Sequence, residues 1–261
     1  MTQFVLIPGA WLGGWAWDGV ASRLRAAGHE AHPVTLTGMG DRATEGRPET
    51  DLDTHADDVI GLIESKNLQD VTLVAHSYAG FVALLVADRI PDRLERVIYL
   101  DTGPVPDGIS MLDWAGEGAA SLEREVAENG DGWLLPFPGV DGLGPPSAIA
   151  GLGDQQRGLL NEKAVGQPFG TYRQPVRTSR PFGGEYERIL VLAGGLGLSL
   201  AEFRGMIGPG GPFAAMTGAD WKAVELATGH WPMLSDPETL AALLDGIVSG
   251  STKLEPLNPP E

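Results

Sequence analysis

The chain has 261 residues, no cysteine, and 18 Lys+Arg against 35 Asp+Glu, for a formal charge of −17. Lack of cysteine excludes disulfides, thiolate nucleophiles and cysteine-ligated metals, and the acidity counts against a nucleic-acid partner by repelling phosphate. With 43% hydrophobic and 20% charged residues, the chain is too apolar for disorder and too mixed for a membrane protein.

In chain order, the first buried-strand pattern is 4–7, stopping at Pro8-Gly9. A helix over 17–27 ends at Gly28, a residue suited to the left-handed position after a helix. A second strand is expected over 31–36. A helix from Asp53 or Thr54 to Lys66 presents Val59, Ile60, Leu62 and Ile63 on one face. Then come a strand over 71–75, a helix over 78–89 stopped by Pro91, and a strand over 96–100 ending at Asp101. Later strands are expected at 188–193 and 221–226, the latter as the last. A final helix over 237–248 has Asp236 to cap it and Pro237 at its first position. Strands apolar on both faces alternating with helices imply an α/β fold, a mostly parallel central sheet with helices on both faces.

Residues 104–187 break this rhythm, being rich in Gly and Pro with only scattered helical pieces such as 119–128. They carry Trp114, Trp133, Phe137, Phe169 and Tyr172, too many large apolar side chains for a free linker, so a helical lid is expected. The expected organisation is a core of 1–103 and 188–248, a lid of 104–187 and a flexible tail of 249–261. The first basic residue is Arg23 and the longest aliphatic run is 81–87, with neither a positive leader nor a bilayer-length span. A cytoplasmic protein with no membrane partner is expected; a homodimer stays open.

The chemistry centres on Val74-Ala75-His76-Ser77-Tyr78-Ala79-Gly80. A buried strand runs into a serine and a helix runs out, a turn that lifts the hydroxyl above the sheet, with small Ala75 and Ala79 letting strand and helix approach. Ser77 is therefore the expected nucleophile. Pro8-Gly9-Ala10-Trp11 follows the first strand, where Gly9 allows close backbone approach and the N–H groups of Ala10 and Tyr78 would hold a developing oxyanion. Thr228-Gly229-His230-Trp231 follows a late strand, where His230 reaches the serine as general base. His76 is expected to point sideways in support, and His29, His32 and His55 to be surface polar groups. Gly38-Met39-Gly40-Asp41-Arg42-Ala43 spells a dinucleotide fingerprint, but it does not open a helix in the first βα unit, so it reads as a loop. No cofactor and no metal site are expected; Trp11, Trp114, Trp133, Phe137 and Trp231 are expected to line an apolar substrate pocket.

These three motifs, in this order and with an insertion, resemble the α/β-hydrolase fold, and the resemblance covers residues 3–248. Within it the chain most resembles the small esterases that include plant methylesterases and hydroxynitrile lyases, which share the oxyanion turn followed by a tryptophan-bearing helix, here Gly14-Trp15-Ala16-Trp17. The resemblance implies a Ser–His–acid triad and a carboxylic ester of a small to medium apolar or aromatic molecule. Hydroxynitrile lyases carry a lysine after the catalytic histidine where this chain has Trp231, and epoxide hydrolases and dehalogenases place aspartate where Ser77 stands. The acid that the family supplies after the strand ending at Ala193 is missing, since the sequence there reads Gly194-Gly195-Leu196-Gly197. Asp101, after the strand following the nucleophile helix, is the substitute, as in other branches of the fold; Glu202, Asp220, Glu225 or no acid at all stay open. Two alternatives follow: a lyase, cyclase or ring-opening enzyme on a polycyclic metabolite, or a ligand-binding descendant with a decayed triad.

Overall fold

The computed structural model describes residues 1–179, 184–208, 213–217 and 220–258. Strands β1 (Gln3–Ile7), β2 (Glu30–Pro33), β3 (Val71–His76), β4 (Leu94–Leu100), β5 (Leu134–Leu135), β6 (Gln167–Pro168), β7 (Glu187–Leu192), β8 (Trp221–Glu225) and β9 (Glu255–Pro256) follow in order. The helices are α1 (Asp18–Ala26), α2 (Leu52–Ser65), α3 (Ala79–Arg89), α4 (Met111–Trp114), α5 (Ala119–Asn129), α6 (Asp154–Lys163), α7 (Gly170–Arg173), α8 (Leu200–Gly205), α9 (Pro232–Ser235) and α10 (Pro237–Ser249).

Seven strands form one sheet in the order β2-β1-β3-β4-β7-β8-β9. The first six run parallel, so their carboxyl ends share one edge. Side-chain alternation divides the core. Val5, Ile7, Leu73, Ala75, Val97 and Tyr99 face α2 and α3, while Phe4, Leu6, Val74, Ile98 and Leu100 face α1 and α10. With apolar partners on both sides, the strands show the unbroken hydrophobic runs of a sheet covered on both faces. Asp51 caps α2, its Oδ1 accepting the Thr54 N–H at 2.9 Å. Asp236 caps α10 likewise through the Thr239 N–H at 3.0 Å.

Three boundaries differ from expectation. Strand β2 stops at Pro33, which breaks the run to Leu36. Segment 221–226 is not the last strand, because β9 pairs antiparallel with β8. The tail expected to be flexible docks there: Leu257 is fully buried and its N–H bonds to the Trp221 carbonyl at 2.9 Å. Leu257 supplies the apolar anchor that the tail's composition concealed, and Pro256, lacking an N–H, sits where an edge strand tolerates it. Residues 259–261 lie outside the described residues.

The region 104–187 contains α4 to α7 and a two-stranded antiparallel pair, β5 with β6; its residues 180–183 lie outside the described ones. It is stitched to the core at Trp11, whose N–H bonds to Gln167 Oε1 at 3.1 Å and whose indole N–H bonds to the Leu135 carbonyl at 3.2 Å. Among the described residues no helix is long and apolar enough to cross a membrane.

Candidate active site

Ser77 sits one residue beyond β3 at φ +54°, a left-handed conformation that a side chain seldom adopts. Its N–H still bonds to the Leu100 carbonyl at 3.3 Å, so the ladder holds the turn in place. From Val71 to Ala87 it is the one residue that is not buried. Tight packing behind it explains the small residues: a β-carbon on Gly80 would lie 2.6 Å from Thr102 Oγ1 and 2.9 Å from the Gly103 carbonyl oxygen.

Asp101 repeats this geometry at the end of the adjacent strand β4, at φ +51°. Its carboxylate is wholly sequestered and accepts three hydrogen bonds. Oδ1 takes the Ala193 N–H at 2.8 Å; Oδ2 takes the Gly195 N–H at 2.7 Å and lies 2.6 Å from His230 Nδ1. A carboxylate there accepts the Nδ1 proton, the tautomer that puts the imidazole lone pair on Nε2. The other acid candidates do not reach this histidine. Glu202 is engaged with Ser199 in a helix cap, Asp220 pairs with Arg188 at 3.6 Å, and Glu225 accepts the Leu200 N–H.

The backbone of His230 is held as firmly as its ring. Its N–H bonds to the Ala148 carbonyl at 2.7 Å, and its own carbonyl accepts from His76 Nε2 at 2.7 Å. His76 is fully buried, and desolvation, reinforced by His230, pushes its pKa well down, so it is neutral. Among the described residues its Nδ1 has no hydrogen-bond partner, and it lies against the turn after β1. A β-carbon on Gly9 would stand 2.7 Å from that nitrogen and 3.1 Å from Ser77 Cβ. Gly9 thus lets the first-strand turn touch Ser77. Among the described residues, the N–H groups of Ala10 and Tyr78 find no hydrogen-bond acceptor.

His55 departs from expectation. It is fully buried, and desolvation lowers its pKa to about 4. Nε2 faces the Thr37 carbonyl at 2.8 Å and so donates, leaving Nδ1 to accept the Tyr78 hydroxyl at 2.9 Å. Tyr78 also stacks on Tyr172. His29 is not a free surface group either; it joins Asp245 at 2.8 Å and accepts the Thr2 N–H at 3.2 Å. The 38–43 segment, expected as a loop, runs at Gly40 into a 3-10 helix (Gly40–Glu45) and packs close to Gly13: a β-carbon on Gly40 would lie 2.8 Å from Gly13 Cα.

Ser77, Asp101 and His230 line one cavity of about 240 Å³ with Phe81, Met111 and Trp114. Of the five aromatic residues expected at the pocket, Trp114 lines it and the other four do not. Trp11, at φ +63°, turns away to bind Leu135 and meet Phe137 edge-on. Trp231 is buried edge-on against His230 at 4.8 Å, and the half-buried Trp133 anchors Phe169 through its carbonyl. Packing of the inserted region consumes these side chains. In their place stand Leu143, Leu196 and Phe213, with no motif to mark them in advance. A larger groove of about 670 Å³ lies behind the His230 loop and includes none of the three polar residues.

Fold and site together define an α/β hydrolase, and the chain belongs to the alpha/beta hydrolase family, which matches residues 4–243. A carbendazim-hydrolysing esterase from Nocardioides sp. (strain SG-4G) is 31% identical over 258 residues, 94% of this chain and 98% of that one. Methylesterase 8 of Arabidopsis thaliana is 33% identical over 109 residues, so the match spans 40% of this chain and 39% of that protein. An extracellular alpha/beta-hydrolase from a Paenibacillus species, described as sharing homology with tobacco salicylic acid binding protein 2, superposes with a TM-score of 0.78 at 21% identity. That superposition covers 94% of this chain and 98% of the other.

Proposed function

We propose that the protein is a cofactor-independent serine hydrolase that cleaves a carboxylic ester through an acyl-enzyme. The observation that carries this reading is the 2.6 Å contact of His230 Nδ1 with Asp101, in the cavity that Ser77 also lines. The esterase activity of its full-length relative supports the same reaction class.

In the reaction, Ser77 Oγ attacks the ester carbonyl carbon while His230 Nε2 takes the hydroxyl proton. The carbonyl oxygen becomes an oxyanion received by the Ala10 and Tyr78 N–H groups, which have no other acceptor among the described residues. Asp101 offsets the imidazolium charge. Collapse breaks the bond to the alcohol oxygen, which takes the proton from His230 and leaves. Water then attacks the acyl carbon, giving one proton to His230; that proton passes to Ser77 Oγ as the acid departs.

Region 104–187 acts here as a lid, since Met111, Trp114, Leu143 and Ala148 roof the cavity. A cytoplasmic setting belongs to the same reading, supported by the cysteine-free composition. The N–H groups of Ala193 and Gly195 donate to Asp101, which supports an intact triad with its acid on β4 over a decayed one.

The test is labelling with a fluorophosphonate, followed by ester turnover in heavy-oxygen water. An adduct at Ser77 that is lost in Ser77→Ala, with solvent oxygen in the acid product, is the expected result. An unlabelled Ser77 in folded protein, or an acid product without solvent oxygen, sinks the reading.

A further inference from the structure

Trp11, the residue after the proposed oxyanion donor Ala10, holds φ at +63°, a region that a bulky side chain occupies only when its surroundings over-determine it. Those surroundings belong to the inserted region. The Trp11 N–H donates to Gln167 Oε1 at 3.1 Å, its carbonyl accepts the Val165 N–H at 3.1 Å, and its indole N–H donates to the Leu135 carbonyl at 3.2 Å. Leu135 and Gln167 face each other across the β5–β6 pair, so one small sheet grips the turn. Gln167 is fully buried and stands outside the cavity lining. Its amide is fixed at both ends: Oε1 meets a backbone donor, and Nε2 donates at 3.0 Å to Thr171 Oγ1, which in turn donates to the Pro168 carbonyl at 2.6 Å. The next residue, Tyr172, stacks on the ring of Tyr78, the second proposed donor, at 5.8 Å and 3°.

Resting on the ester-hydrolase reading above, we propose that Gln167 is a positioning residue for the oxyanion turn: through Trp11 it fixes where the Ala10 N–H points, so the inserted region builds part of the site as well as roofing it. Without Gln167, Trp11 keeps a strained backbone but loses the acceptor of its N–H. Its relaxation shifts the neighbouring peptide that carries the Ala10 N–H. A donor aimed at charge that develops only in the transition state is sensitive to such a shift, and a misplacement of about 1 Å costs on the order of 10²-fold in rate. Ground-state binding is spared, because Gln167 does not reach the cavity. The signature is therefore a loss in kcat with KM preserved.

The experiment uses the full chain and two readouts: kcat and KM for p-nitrophenyl butyrate, and the rate at which a fluorophosphonate labels Ser77. In the labelling step the bond from Ser77 Oγ to phosphorus forms, the bond to fluoride breaks, the serine proton goes to His230, and charge builds on the phosphoryl oxygen. Gln167→Leu keeps the bulk and removes both amide bonds; it is expected to lower kcat and the labelling rate by on the order of 10²-fold while KM stays within about threefold. Gln174→Leu controls for docking alone. Gln174 ties the inserted region to α2, accepting the Asp53 N–H at 3.0 Å and donating to Asp53 Oδ2 at 2.6 Å, and its loss is expected to leave kcat within about twofold of wild type. Equal losses in the two variants, or a loss in Gln167→Leu carried by KM, overturn the proposal. Thr171→Val keeps the shape and frees the Gln167 amide to turn, for which a fall of about tenfold in kcat is expected. It decides the matter if Gln167→Leu does not fold, and a wild-type kcat and labelling rate in Thr171→Val overturn the proposal. Any of these failures leaves the hydrolase reading standing while wild-type Ser77 is labelled; an unlabelled Ser77 in folded wild-type protein overturns both.

Discussion

Asp101 occupies the space that a side chain on Gly195 would need: a β-carbon built there would lie 2.2 Å from Asp101 Oδ2 and 2.4 Å from His230 Nδ1. The glycine does two things at once. It vacates room for the aspartate–imidazole contact, and its N–H, 2.7 Å from Oδ2, becomes one of the groups that orient the carboxylate. A side chain at position 195 and the observed Asp101–His230 contact are therefore mutually exclusive.

Asp101→Asn is accordingly expected to lower kcat by roughly 10⁴-fold, since the amide cannot fix the right imidazole tautomer or balance its charge. Gly195→Asp, which puts an acid on the loop after β7, is expected to be no better than Asp101→Asn in the wild-type background. Steady-state kinetics on any accepted ester decide it. Activity of Gly195→Asp near the wild-type level contradicts the steric exclusion.

Gly9 carries a parallel constraint at the oxyanion turn. Alanine there puts a methyl group 2.7 Å from His76 Nδ1 and 3.1 Å from Ser77 Cβ, so the turn has to retreat from the nucleophile. Displacement of the Ala10 N–H removes one oxyanion donor, for which a loss of about 10²-fold in kcat is expected. KM should move far less, because the donor acts on charge that develops after binding. A matching rise in KM with kcat preserved counts against an oxyanion role for this turn.

His76 is expected to act by positioning His230. Its Nε2–H holds the His230 carbonyl at 2.7 Å while its ring lies 4.6 Å from the His230 ring. His76→Phe keeps the bulk and removes the donor, so kcat is expected to fall on the order of 10²-fold with little change in KM. His76→Gln, whose amide N–H reaches a similar point, is expected to recover much of that loss. If phenylalanine and glutamine behave alike, packing alone is what His76 supplies.

The parallel core, the elbow and the histidine loop were legible because each leaves a local mark: an apolar run, a turn residue, a helix stop. Asp101 was visible only as an aspartate at a strand end, since the pairing that brings β4 beside β7 spans 91 positions, as in Arg96 with Glu187. Four of the five aromatic residues expected at the pocket stand elsewhere for the opposite reason. Trp11 and Trp231 flank the candidate site residues in sequence, yet one has a left-handed backbone that turns it away and the other is packed behind the imidazole. His55 looked like a surface group because helix starts favour polar residues, and nothing local announces that Thr37 and Tyr78 converge on it. Leu257 likewise sits in a stretch whose prolines suggest fraying, and only the open edge of β8 gives it a partner.

His55 predicts how the fold responds to acid. Burial holds its pKa at about 4 against 6.5 in the unfolded chain, so between those values the unfolded state binds a proton that the folded state refuses. Stability is therefore fully present above about pH 6.5, declines as pH falls toward 4, and gains no further loss from this group below that; the span corresponds to about 3 kcal/mol. His76 acts in the same direction, its pKa also pushed down by desolvation. Urea unfolding at pH 7 and pH 4.7, above the range where most carboxylates titrate, should show wild-type protein losing stability on acidification. His55→Gln is expected to start less stable at pH 7, having lost its fit between the Thr37 carbonyl and the Tyr78 hydroxyl, yet to lose distinctly less between the two pH values. An acid-induced loss in His55→Gln as large as in wild type shows that other groups set the acid limit.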